Sequence, residues 1–324
     1  IAKHMGLAAK KTERMALTEC DAGHRETAME LYYQATLEFA DAQHVVFETG
    51  DEKKMLHGGV IRCYDKVREL APYKIEHVDI PWNGTVVSGN LHLAPGEGAR
   101  PLVFYVPGCD QTKEAWPHPY YNQALQRGMH AFSFDGPGQG ESNLRGIRLT
   151  ADNYEEAAAA AIDYLMKRKE VDAQKIGVYA LSFGSYWGMR IAAKNRNIAA
   201  AAAPWASFVD KYYLMTEESP RYKQLFAYLT QSATEAELDA LQRSVKGQPE
   251  NGVSDEGLGL RERLVVQWAA QMTRQIKVQD PLFEQLKQHF DTTEIVEITT
   301  TIASYNMVAR ILLTTGVAPE TQHP

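Results

Sequence analysis

Four short, almost unbroken apolar runs constrain this chain more than any other feature: PLVFYV (101–106), HAFSFD (130–135), KIGVYA (175–180) and AAAAA (199–203). A strand wetted on one face alternates apolar and polar residues, whereas an unbroken run is expected of a strand covered on both faces. The intervening segments, above all residues 154–169 with their alanine run, carry helical spacing. Strand–helix–strand alternation implies a mostly parallel sheet with helices on both sides, an α/β architecture. Ahead of it, residues 75–80 and 86–93 read as an antiparallel pair around the turn Asn83-Gly84.

The flanks differ from this centre. In residues 1–72, Ala28, Met29, Tyr32, Ala35, Phe39 and Ala40 recur at three- and four-residue spacing, as do Met55, Gly59, Val60, Tyr64 and Val67, and Pro72 closes the region. After residue 208 the alternation stops. Residues 222–241, 260–273 and 281–290 read as amphipathic helices, separated by the polar, glycine-rich stretch KGQPENGVSDEGLG (246–259). IVEITTTIASY (295–305) has a strand's β-branched residues, but it runs on into NMVARILLTTG, and a helix stopped by Gly316 fits it better. This gives an expected division into a helical cap region (1–72), an α/β core (73–245) with further cap helices at 209–243, and a helical segment (246–324).

Composition excludes several function classes. The net charge is −7 over 324 residues, which argues against a nucleic-acid footprint. No stretch approaches 18 apolar residues, so no membrane span is expected. Cys20, Cys63 and Cys109 are widely spaced, without a CxxC pair. They read as reduced thiols of a cytoplasmic protein, not as a disulfide frame or metal site. The opening, IAKHMGLAAKK, has no apolar signal core and no initiator methionine, as expected of a partial or trimmed chain.

The chemistry-bearing segment is KIGVYALSFGSYWGMRIAA. A buried strand runs into A-L-S-F-G and then a helix, the context a nucleophile elbow needs. The sharp turn would hold Ser182 in a strained backbone conformation at the strand's carboxyl end. Ala180 and Gly184, two before and two after the serine, are small enough for strand and helix to approach, and Gly188 repeats the allowance one turn on. An ordinary N-capping serine would give the same local pattern, so the elbow alone leaves both readings open. VFYVPGCDQTKEAWP adds a strand ending in Pro107-Gly108, where a loop would supply one oxyanion-stabilising N–H, assigned to Cys109; Phe183, after the serine, would supply the other. FSFDGPGQGES lacks the spacing of a phosphate-binding loop and reads as a tight glycine turn; Asp135 precedes the serine, so it is not the acid expected of this fold.

Together these segments resemble the α/β-hydrolase superfamily. PGCDQTKE, DGPGQGES and ALSFGSYWG, with an N-terminal helical region containing Cys63-Tyr64, resemble more narrowly the subgroup of dihydropseudooxynicotine hydrolases, fungal polyketide-shortening hydrolyases and FrsA-type esterases, over about residues 25–243. The resemblance implies a Ser–His–Asp mechanism on an ester, or on a C–C bond next to a carbonyl, in a small organic substrate, with no cofactor and no metal. Pro107 departs from the histidine that many hydrolases carry before the glycine. The tail resembles the C-terminal half of a carboxymuconolactone-decarboxylase-like (AhpD-like) helical domain. It lacks that family's CxxC and upstream histidine helix, so a structural or oligomerising role is expected of it.

A serine needs a base and an acid to orient that base. After Ser182 only His289 and His323 remain. His289, in LKQHFDTTE, is the candidate base, and Asp210, after the sixth strand, the candidate acid. Neither histidine follows a recognisable strand, so the last strands of the hydrolase fold are read as missing. The run at 199–203 would then be an exposed apolar edge, inviting a second chain, and the C-terminal helices offer another surface for homo-oligomerisation. Two readings follow: a serine hydrolase, or a catalytically impaired hydrolase core acting as a binding or oligomerisation module.

Overall fold

The computed structural model describes residues 1–150, 152–203, 220–231, 259–275, 278–296, 298–299 and 302. The chain divides into two compact units, Ile1–Glu250 and Asn251–Pro324.

The first unit opens with three long helices, α1 (Ala2–Asp21), α2 (Arg25–His44) and α3 (Asp51–Leu70). Met29, Tyr32, Ala35 and Phe39 of α2 lie between Ala9 and Ala16 of α1 and Leu56, Val60, Cys63 and Val67 of α3, forming an apolar core of their own. Of the residues whose spacing marks these helices, Met29, Tyr32, Ala35, Phe39, Val60, Tyr64 and Val67 are in this core, whereas Met55 is exposed and Leu56 and Cys63 take the apolar face instead.

The sheet follows. Strands β1 (Ile75–Trp82), β2 (Thr85–His92), β3 (Arg100–Val106), β4 (His130–Phe134), β5 (Val171–Ala180) and β6 (Ile198–Ala202) lie in the order β1-β2-β4-β3-β5-β6. β1 and β2 form an antiparallel hairpin with Ile75 opposite His92 and Trp82 opposite Thr85. Its turn residues, Asn83 (φ 47°) and Gly84 (φ 73°), both take left-handed backbone, which suits the twist of a two-residue hairpin. β2 is antiparallel to β4, while β3–β4, β3–β5 and β5–β6 are parallel. α4 (Gln123–Gln126), α5 (Gly140–Leu144), α6 (Asn153–Met166) and α7 (Gly184–Lys194) occupy the connections, and α8 (Pro220–Thr230) follows the sheet. The core joins Phe104, Phe132, Phe134, Ile176 and Val178 of the strands to Ala157, Ala161, Ile162 and Leu165 of α6.

One expectation fails here. Of the four apolar runs only β4 is buried throughout; β3 and β5 alternate buried with half-buried residues toward their carboxyl ends, and β6 is exposed along Ala199–Ala202, so an unbroken run did not mean burial on both faces. β6 ends the sheet among the described residues, and alanine is small enough to stand in water at little cost. Among the described residues the run therefore stands at an exposed edge of the sheet.

In the second unit, α9 (Leu260–Gln275) and α10 (Asp280–His289) pack Leu264 and Trp268 against Leu282, Leu286 and Phe290, each set spaced by four. The described residues of 292–302 are helical, in line with the reading of that stretch.

Candidate active site

β3 and β5 are adjacent, and Val106 lies opposite Ala180, so their two following loops leave the sheet side by side. The Leu181 amide donates to the Val106 carbonyl (3.2 Å), tying the second loop to the first strand. The chain then bends at Ser182, which has φ 53°. A left-handed conformation at a residue with a Cβ costs energy and persists only where its surroundings enforce it. The enforcement is visible on both sides. The Ser185 amide donates to the Ser182 carbonyl (2.9 Å), and Ser185 Oγ donates to the Ala180 carbonyl (3.1 Å). Helix α7 then starts at Gly184, where a Cβ would lie 2.3 Å from the Val106 oxygen and 2.4 Å from the Pro107 oxygen. At Gly188 a Cβ would stand 2.4 Å from the Ala180 Cβ. Only glycine lets α7 lie this close to the two strands.

The bend leaves Ser182 exposed, with Phe183 buried behind it against Trp187 and Phe226. Trp187 is itself stacked on Tyr154 at 3.9 Å, which makes it core and not pocket lining. The serine side chain faces the loop after β3. A methyl group on Gly108 would lie 3.1 Å from Ser182 Cβ and 3.4 Å from its Oγ, and 3.2 Å from Asp110 Oδ1. Ser182, Gly108 and Asp110 thus converge on one point, with Cys109 buried between the latter two. Asp110, which the motif alone gives no role, presents its carboxylate to the same side of Gly108 as the serine.

The same edge of the sheet carries a second polar site, which the sequence reading missed. Lys113, also from the loop after β3, is fully buried. Its Nζ lies 2.6 Å from Glu114 Oε1, 3.0 Å from Asp135 Oδ2 and 2.8 Å from Glu141 Oε2. Burial opposes charge on Lys113, but the three carboxylates hold its pKa well above the usual lysine value. Burial likewise pushes Glu141 upward, and Lys113, His77 and Arg145 overcome it, bringing the carboxyl down to about 2. Asp135 is raised by burial despite Lys113. Nearby, His57 is fully buried with neither ring nitrogen hydrogen-bonded, and burial together with the Lys113 charge lowers its pKa to about 4. A cavity of about 120 Å³ opens here between α3 and the β1–β2 hairpin, walled by Tyr64, Arg68, Asn90, Lys113, Glu114 and Glu141 among others. Ser182 is not in its walls. The helical region meets this edge through polar contacts: Tyr33 Oη donates to the Ala115 carbonyl (2.8 Å), Lys53 Nζ to Asn143 Oδ1 (2.6 Å), and Tyr64 and Tyr73 Oη bracket the ring of His92 (3.2 and 3.1 Å).

Of the other sequence-derived candidates, Asp210 and His323 lie outside the described residues. His289 is half-buried at the last position of α10 in the second unit. Among the described residues of the first unit no histidine hydrogen-bonds Ser182 Oγ. No described group of His, Cys, Asp and Glu has the arrangement of a metal site, and no described helix is long and apolar enough to cross a membrane.

Comparison with known proteins places these features in a family context. The profile described as Esterase FrsA-like matches residues 17–231. The 2,6-dihydropseudooxynicotine hydrolase of Paenarthrobacter nicotinovorans is 29% identical over 226 residues, covering 70% of this chain and 60% of that protein. The alpha/beta hydrolase xenA of Xenoacremonium sinensis is 28% identical over 200 residues, 58% of this chain and 47% of its own. This chain therefore spans between 47% and 60% of the length of these two relatives. The crystal structure of the 2,6-dihydroxy-pseudo-oxynicotine hydrolase aligns with a TM-score of 0.61 at 26% identity, covering 75% of this chain and 68% of that one. Residues beyond 231 lie outside the profile match, and the decarboxylase-like resemblance of the tail rests on its sequence alone.

Proposed function

Because the chain belongs to the FrsA-like esterases, with an α/β-hydrolase core, we propose that it is a serine hydrolase cleaving an ester, or a C–C bond next to a carbonyl, in a small organic substrate, with Ser182 as nucleophile. One observation carries this reading: Ser182 is held at φ 53° on a strand-to-helix bend with its hydroxyl exposed and facing Gly108. In the proposed reaction Ser182 Oγ bonds to the carbonyl carbon, and the carbonyl electron pair moves onto its oxygen. The backbone N–H groups of Phe183 and Cys109 stabilise that oxyanion, aided by the N-terminal end of α7. Collapse expels the alcohol or carbanion leaving group, and water releases the acyl group. The serine proton needs a base; His289 is the candidate, with Asp210 as the orienting acid. Substrate would enter between the cap (1–72 and 209–243) and the carboxyl ends of the strands, and the segment 246–324 would serve as a helical packing or self-association element.

A fluorophosphonate probe tests the reading. It should label wild-type protein at Ser182 and leave Ser182→Ala unlabelled; equal labelling of the two would refute the role. The second reading, an impaired hydrolase core serving as a binding or oligomerisation module, is favoured by one fact: no described histidine of the first unit bonds the serine. It expects no turnover of p-nitrophenyl butyrate, and turnover lost in His289→Ala would overturn it.

A further inference from the structure

Gln139 reaches across to the loop that faces Ser182 from a different connection, the one after β4. It occupies the N-cap of α5, where serine, aspartate or asparagine usually caps the helix through a short side chain. Its side chain makes no cap hydrogen bond. Asp135 Oδ2 accepts from the Glu141 amide instead (3.0 Å), in the first turn of the same helix. The glutamine is thereby free to reach 31 residues back along the chain. It is fully buried, and its Nε2 donates to the Gly108 carbonyl (2.7 Å). Its Oε1 accepts from the Gly136 amide (3.2 Å) and from Tyr154 Oη (2.8 Å). The orientation of the amide is forced: a backbone carbonyl can only accept and a backbone N–H can only donate, so nitrogen must face Gly108 and oxygen Gly136.

The consequence falls on the peptide linking Gly108 to Cys109. That unit is planar and trans, so its N–H points opposite to its C=O. The Gly108 oxygen accepts from the Gln111 amide (3.2 Å) within its own turn and from Gln139 (2.7 Å) across the connections, and the donors on this oxygen together fix the direction of the Cys109 N–H. We propose that Gln139 is a positioning residue of this hydrolase: it locks the Gly108–Cys109 peptide so that the Cys109 N–H is pre-aimed at the charge developing on the substrate carbonyl. The proposal rests on the reading of Ser182 as nucleophile. It adds that the oxyanion loop is held from behind by a side chain, with Gln111 Oε1 accepting from the Gly108 amide (3.0 Å) on the other side of the glycine.

Gln139→Glu separates this role from general stability. The glutamate keeps the oxygen that serves Gly136 and Tyr154 but presents an acceptor to an acceptor at Gly108. Removing an oxyanion donor outright costs about 10²–10³ in kcat; losing only its alignment should cost about 10- to 50-fold on the same scale. On p-nitrophenyl butyrate the loss should appear in kcat, with KM within about threefold. The second-order rate of fluorophosphonate labelling at Ser182 should fall in parallel, because the phosphoryl oxygen uses the same donors. A merely structural role would lower the folded fraction and leave the rate per folded molecule unchanged, which would overturn the proposal. Should Gln139→Glu not fold, Tyr154→Phe removes one of the two anchors of the amide and should slow labelling about threefold; labelling at the wild-type rate would overturn the proposal. Wild-type protein that does not label at Ser182 would instead defeat the hydrolase reading itself, a different result from a labelled wild type matched by an equally reactive variant.

Discussion

Ser182 and Lys113 both follow the ends of neighbouring strands, yet one is held in place by backbone and the other by charge. Around Ser182 the forces are backbone and steric: a bend at φ 53°, two hydrogen bonds from Ser185, and glycines at 184 and 188 that admit α7 to β3 and β5. Around Lys113 they are electrostatic, and its three carboxylates come from the same loop, the end of β4 and α5. The contrast teaches that an exposed reactive group is kept in position by steric necessity, whereas a buried charge persists only if every partner arrives. The first arrangement tolerates solvent; the second must exclude it.

The two arrangements should fail differently. The largest effect on stability is expected at Lys113→Met, which leaves Glu114 and Asp135 buried without their cation and Glu141 with only Arg145 and His77. It should cost about 3–5 kcal/mol, read by urea denaturation followed through tryptophan fluorescence. The labelling rate of the remaining folded protein should stay within about threefold of wild type. A tenfold slower rate would break the distinction, because it would make the charged cluster part of the reactive site.

Gly184→Ala should reverse that pattern. Its Cβ would collide with the carbonyl oxygens of Val106 and Pro107, which cannot swing aside as a side chain can. Overpacking of this kind costs about 1–3 kcal/mol. Because α7 would be pushed off the loop facing Ser182, fluorophosphonate labelling should slow by tenfold or more. A variant destabilised to this extent that still labels at the wild-type rate would show that the elbow does not depend on the close approach.

Acid should attack the charged side first. His57 and His92 are buried and neutral in the fold, brought down by burial to about 4 and about 3. An unfolded chain binds protons on both rings as pH falls through about 6.5, while the folded chain does not until near 4. Stability should therefore decline between those values, by about 1–3 kcal/mol for His57. Glu141, lowered to about 2, adds loss in the same direction below its unfolded value near 4.5, while Asp135, raised by burial, works in the opposite sense. Denaturation curves at stepped pH should show a shallower slope in His57→Leu; an unchanged slope would remove His57 from the account. The smallest expected effect is at Ser185→Ala, where loss of one buried hydrogen bond to Ala180 should cost about 1 kcal/mol.

The features legible beforehand share a property: their cause lies within a few residues. Asn83-Gly84 specified the hairpin because only those residue types accept the turn's left-handed backbone. The run from Lys175 to Ala193 specified strand, bend and helix because its apolar period changes at Ser182 and its small residues fall where the helix crosses the strands. The alanine run of β6 supports two opposite readings, a strand covered on both faces and an exposed edge, because apolar composition alone cannot tell them apart. Lys113 passed unnoticed because a lysine and a glutamate in a loop look like solvated surface until their partners are known, and Gln139 because a glutamine before a helix shows no sign of reaching back to Gly108.

The amino-acid order by itself therefore determined the alternation of elements, the hairpin and the bend at Ser182, since each follows from backbone preferences and side-chain periodicity over one or two turns of chain. Tertiary structure alone decided which carboxylates neutralise Lys113, what fixes the Gly108 peptide, and that β3 lies between β4 and β5. Those outcomes depend on distances between residues 22 to 31 positions apart, or on which strand lies beside which. Such distances are set only when the sheet closes and water is driven from between its parts.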